Sequence, residues 1–138
     1  MAAEFPAPDM LAIAERVARH IETLDPADIK GVFADSNVTI LENFAPYCFD
    51  GPAAVDSWIS GMAAHRDQTS NLRHVFGVAQ DFSQTESHAF FSLPTTWMGE
   101  FRDRPFTETG GWAFVLVKQH NTWRLQSYGW AVTGLTAE

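Results

Sequence analysis

Helical spacing fills the first 66 residues of this 138-residue chain and strand alternation fills most of the rest, so helices can lie on a sheet but cannot interleave with its long strands. Met10, Ile13, Val17, Ile21 and Leu24 recur at three to four residues and predict one amphipathic helix, with Asp9 as its N-cap. Asp25 then offers a capping oxygen to Pro26 at a first helical position, which predicts a second, short helix over residues 26–34. Val38, Ile40 and Glu42 alternate with Thr39, Leu41 and Asn43 as a strand does, and Gly51-Pro52 restarts a third helix with the buried stripe Val55, Trp58, Ile59 and Met62, ending near Arg66. Long strands are expected near 71–82, 87–101, 104–118 and 122–133, broken by polar turns at 84–87 and 119–122. Gly110-Gly111 falls inside the third of these and reads as a bulge or strong bend. The expected fold class is α+β: a strongly curved, mostly antiparallel sheet with three N-terminal helices on its concave face, wrapping a pocket.

Two polar residues interrupt this apolar pattern. His20 lies on the flank of the first helix's buried stripe, and Glu42 closes the apolar set of the first strand. A third, His74, shares a strand face with Leu72, Phe76 and Val78. Each has a structural reading beside a catalytic one. His20 can be a helix-flank histidine bonded to a backbone carbonyl, Glu42 a carboxylate paired with Arg73 or another cation, and His74 a hydrogen-bonded histidine bordering the core. His65 ends a helix, His88 begins a strand and His120 sits in a hairpin turn, so all three are set outside the site. Five tryptophans and 11 phenylalanines exceed what a core of this size requires; Phe33, Phe49, Trp58, Trp97 and Phe114 are the candidates for lining a ligand pocket.

Length and a hydrophobic content of 46% fit one domain over 1–138. A net charge of −8 with no basic cluster argues against nucleic acid and anionic membrane surfaces as partners and leaves a small apolar molecule open. Cys48 stands alone and reads as a small buried hydrophobe. No histidine pair or Cys-x-x-Cys spacing supports a metal, and no cofactor is expected. The first residues lack a secretory pattern, so a cytoplasmic location is expected, with disorder only at the extreme ends.

The element order resembles the NTF2-like superfamily, the cystatin-like cone shared by nuclear transport factor 2, ketosteroid isomerases, scytalone dehydratase and SnoaL-type polyketide cyclases. The resemblance is carried by Ala18-Arg19-His20-Ile21-Glu22 and Leu24-Asp25 before Asp28-Ile29, by Phe33-Ala34-Asp35 leading into the first strand, and by Gly51-Pro52-Ala53-Ala54. It implies that Glu42 falls where ketosteroid isomerases keep their proton-shuttling carboxylate and His20 where they keep an oxyanion-binding tyrosine. Where they hold a protonated aspartic acid, this chain offers only Ala113 to Val117. His74 lies in the region where scytalone dehydratase uses pocket histidines. The resemblance thus implies a cofactor-independent isomerase, dehydratase or cyclase acting on a small hydrophobic, polyketide-like or steroid-like molecule, and a homodimer formed through the outer sheet face. The alternative is a non-catalytic ligand binder or a dimeric interaction module.

Overall fold

A computed structural model describes residues 5–137; the disorder expected at the extreme ends concerns residues outside that span. Helix α1 runs over Pro8–Thr23 with Pro8, not Asp9, opening it; Ala7 takes the N-cap position and Asp9 sits in the first turn, where its charge suits the helix dipole. The helix ends where Leu24 turns left-handed and its N–H bonds to the His20 carbonyl. Asp25 caps the next segment as expected, accepting from Ala27 N at 3.0 Å, but only a 3₁₀ turn over Pro26–Ile29 follows. Lys30 is already extended and Gly31 follows at φ 74°, so the helix expected over 26–34 is cut short. Among the described residues there are therefore two α-helices instead of three, the second being α2 over Ala54–His65 with Ala54, Trp58 and Met62 buried at four-residue spacing.

Seven strands form one mixed sheet: β1 (Thr39–Leu41), β2 (Cys48–Phe49), β3 (Thr69–Phe76), β4 (Gln80–Gln84), β5 (His88–Phe101), β6 (Arg104–Gln119) and β7 (Thr122–Ala137). The order is β2-β1-β7-β6-β5-β3, with β4 also pairing with β5, and the β1–β7 pairing is parallel. One strand expected over 71–82 is two. Pro94 of β5 has no N–H to offer on that side, and Gly77 donates to the Pro94 carbonyl at 2.6 Å where the ladder is interrupted. Cys48 is exposed on the edge strand β2, not buried. Among the described residues no helix is long and apolar enough to cross a membrane.

Two irregularities in the β6–β7 ladder decide which residues face inward. Trp123 and Leu125 point into the core, and strict alternation would turn Tyr128 outward. The register shift between Val115↔Ser127 and Leu116↔Leu125 inserts Gln126 as an extra residue and reverses the alternation, so that Tyr128 is buried. A second shift, between Thr109↔Gly134 and Gly110↔Val132, falls at the Gly110-Gly111 position where a bend was expected.

Candidate active site

Glu42 stands just beyond β1 with 8% of its surface exposed. Its Oε2 accepts a hydrogen bond from the Trp58 indole at 3.0 Å and another from the Tyr128 hydroxyl. The Arg73 pairing considered from the sequence does not form. Both bonds reach the same oxygen, which leaves Oε1 for the cavity that Glu42 lines. Burial pushes the Glu42 pKa up to about 7; the two donors oppose the shift and the nearby Glu108 adds to it. Tyr128, entirely buried and bonded to that carboxyl group, is held well above its ordinary value by burial first and by Glu42 second.

The cavity has a volume of about 300 Å³ and mostly apolar walls, among them Leu72, Met62, Trp97, Phe106, Trp112 and Trp130. Its polar residues besides Glu42 include Glu108, His65, Arg66, Asn43 and Thr69. Glu108 lies on β6 between Trp97 of β5 and Leu135 of β7, and burial raises its pKa, with the Trp130 indole opposing. It supplies an acid in the strand where only Ala113 to Val117 had been considered; its even-numbered alternation with Phe106 and Trp112 was the available signal. Arg66 is anchored through Nη1 to the carbonyls of Ile21 and Glu22, which ties the start of the α2–β3 connection to the end of α1. His65, set aside as a helix end, also lines this cavity.

Neither His20 nor His74 lines it. His20 is fully buried with Nδ1–H donating to the Asp25 carbonyl at 2.8 Å, the structural arrangement foreseen for it, and Nε2 has no partner. Trp58 stands between it and Glu42, its ring centroid 5.3 Å from that of His20 and its indole bonded to the carboxyl group. His74 is held between two carboxylates of α1: Nδ1 is 2.7 Å from Glu22 and Nε2 is 2.9 Å from Glu15. Burial disfavours its charge, but the bonds to Glu15 and Glu22 and their charges outweigh this and raise its pKa. It reaches the cavity wall through Trp97, 5.5 Å away. Of the five aromatics expected to line a pocket, Trp97 does so. Trp58 stands behind Glu42, Phe33 packs edge-on against Trp58 at 5.7 Å, Phe114 lies under Trp112 at 4.9 Å, and Phe49 backs Phe44 at 6.0 Å. No grouping of three or more His, Cys, Asp or Glu side chains suited to a metal ion occurs among the described residues.

The His74 clamp yields a stability prediction. Its raised folded pKa means that the stabilisation is fully present below the unfolded histidine value of ~6.5 and is lost as pH rises through the folded pKa. His74→Gln should therefore lower the urea midpoint more at pH 6 than at pH 9; an equal loss at both would remove the charge from the explanation.

No family model matches the chain, and no curated protein does. Solved structures do. The hexachlorocyclohexane dehydrochlorinase LinA type 2 superposes with a TM-score of 0.80 at 5% identity, over 94% of this chain and 86% of that one. The Kfla4162 protein of Kribbella flavida gives 0.76 at 14% identity over 93% of each chain. A nuclear transport factor 2-like superfamily protein of Salmonella enterica serovar Typhimurium gives 0.70 at 16% identity, over 91% of this chain and 92% of that one. The chain has the NTF2-like fold. Identities this low speak for the fold alone, which hosts many chemistries.

Proposed function

We propose that the protein is a cofactor-independent enzyme of the isomerase, dehydratase or cyclase kind that removes a proton from carbon of a small hydrophobic molecule, with Glu42 as the base. One observation carries this reading: a carboxyl group pinned through one oxygen by Trp58 and Tyr128, with no hydrogen bond to its other oxygen, lines a largely apolar cavity. Fixed donors hold the carboxylate without swinging it, and burial makes it a stronger base than a carboxylate in water. The volume lies at the low end of ligand pockets, ~300–1,000 Å³, which favours one or two rings over a larger skeleton. Exposed Val75 and Val132 leave apolar surface on the sheet and support pairing of two copies; sedimentation at micromolar concentration should give the dimer mass.

A second reading makes His74 the base, oriented by Glu22 as a carboxylate orients an imidazole. It requires the Glu15 side chain, half exposed, to leave Nε2, and a substrate that meets His74 outside the cavity that Glu42 lines.

The test uses 5-nitrobenzisoxazole, a one-proton probe that opens when a carboxylate in an apolar site takes its C–H. Turnover should rise through pH about 7 as Glu42 ionises. A rate no greater than buffer overturns the Glu42 reading, and a tightly retained ligand in native mass spectrometry would then favour the binder alternative. Loss in His74→Gln with retention in Glu42→Gln would favour the second reading.

A further inference from the structure

A base alone leaves the charge that develops on the substrate unmet, and neither His20 nor His74 reaches the cavity to meet it. His65 does. Its ring stacks on Phe44 with centroids 4.2 Å apart and planes within 13°, which fixes the imidazole plane. Phe44 is two residues beyond Glu42, a span of at most ~7 Å along the chain, and both line the cavity. The carboxylate and the imidazole thus belong to one cavity wall, open to the same small molecule. The ring nitrogens of His65 make no hydrogen bond among the described residues, whereas those of His74 are both taken and His20 donates to a carbonyl.

We propose that His65 is a second catalytic residue, donating a hydrogen bond from its imidazole N–H to the substrate oxygen on which negative charge develops while Glu42 takes the proton from carbon. This rests on the reading of Glu42 as the base. Burial lowers the His65 pKa, so the ring is uncharged in the pH range where Glu42 is ionised, and it then acts as a donor without giving up its proton. The substrate class is a small cyclic carbonyl compound with an acidic C–H next to the carbonyl, or a related molecule whose reaction leaves charge on oxygen. In the benzisoxazole probe the step balances as follows: the C3–H proton goes to Glu42, the C–H electron pair completes the nitrile, the N–O bond breaks, and its pair stays on oxygen as a phenolate that accepts the His65 hydrogen bond.

Comparing 5-nitrobenzisoxazole with unsubstituted benzisoxazole isolates this donor, because the poorer leaving oxygen needs it more. His65→Phe keeps the stack and removes the donor; it should slow the unsubstituted probe about tenfold more than the nitro probe, and His65→Gln, which retains an N–H, should recover part of that difference. Equal slowing of both probes by His65→Phe would overturn the proposal. A readout independent of turnover is the affinity of the unmodified protein and of His65→Phe for substituted phenols at pH 8, followed by tryptophan fluorescence. A steeper preference for the more acidic phenols in the unmodified protein than in His65→Phe supports the donor, and equal dependence on phenol acidity in both overturns it. Absence of turnover with that steeper preference would sink the Glu42 reading and leave the His65 donor standing.

Discussion

Glu42→Gln should lose roughly 10²- to 10⁴-fold in probe turnover and, at the same time, make the protein more stable at neutral and higher pH. The second effect follows from the sign of the pKa shift. A carboxyl group whose folded pKa is about 7 against an ordinary 4.5 is penalised in the folded state once the unfolded chain can ionise it. The penalty is absent below pH 4.5, grows through the interval, and is complete above about 7, where it reaches about 3 kcal/mol. Glutamine retains a carbonyl oxygen that can accept from Trp58 and Tyr128 but carries no charge, so the variant escapes the penalty without orphaning either donor. Urea unfolding of both proteins at pH 4 and pH 8 separates the terms: near coincidence at the lower pH and a gain for the variant at the higher one is the expected pattern. Equal stability at both would mean that the carboxyl group is not desolvated as described, and undiminished turnover would remove it from the reaction. A buried group that costs stability and faces an apolar cavity is the arrangement that a base near neutrality requires.

The donors of Glu42 illustrate what was legible in the sequence. Glu42 itself could be found because a period of two runs unbroken from Val38 and places it with the apolar set. Trp58 could be placed on the buried stripe of α2, though its bond to Glu42 depends on how that helix docks. Tyr128 could not be found this way. Counting forward from Trp123 and Leu125 turns it outward, and only the extra residue at Gln126 brings it in, a matter of ladder register that local pattern does not encode. Glu108 has the right parity, but it lies on the far side of Gly110-Gly111 from the Ala113 to Val117 segment that the resemblance points to. His65 illustrates the opposite difficulty: the end of a helix is a sound reason for a histidine, and what gives this one a second role is the neighbouring Phe44 loop, which no spacing within α2 reveals. The two main helices, the ladder irregularity at Gly110-Gly111 and the long hairpins were readable. The segment after Pro26 is shorter than its spacing predicts because Lys30 is extended and Gly31 left-handed, backbone choices that apolar spacing does not report.

Gly110→Ala should destabilise the fold by about 3 kcal/mol or more, while Gly111→Ala should be neutral or add about 0.5 kcal/mol. A Cβ at Gly110 would lie 2.3 Å from the carbonyl oxygen of Ala131 and 2.5 Å from the Trp130 ring, whereas one at Gly111 would meet nothing within 4 Å. A side chain can swing away, but the Ala131 carbonyl belongs to the β7 backbone at the register shift that lets the sheet bend, so relief requires the two strands to separate. The adjacent substitution is an internal control, since both variants trade a strand glycine for alanine and so change the unfolded chain alike. Urea unfolding at pH 7 of the pair gives the difference directly, and a gap of less than ~1 kcal/mol between them would contradict the close packing described. The site should respond in the same direction. Trp130 lines the cavity and its indole opposes the rise in the Glu108 pKa, so an intruding methyl group that displaces this ring changes both the cavity wall and the setting of the second carboxyl group. The close pass at Gly110 is thus a condition of the cavity's shape: the glycine that allows β6 to pass beneath Trp130 lets one sheet both close a core and leave a space beside Glu42.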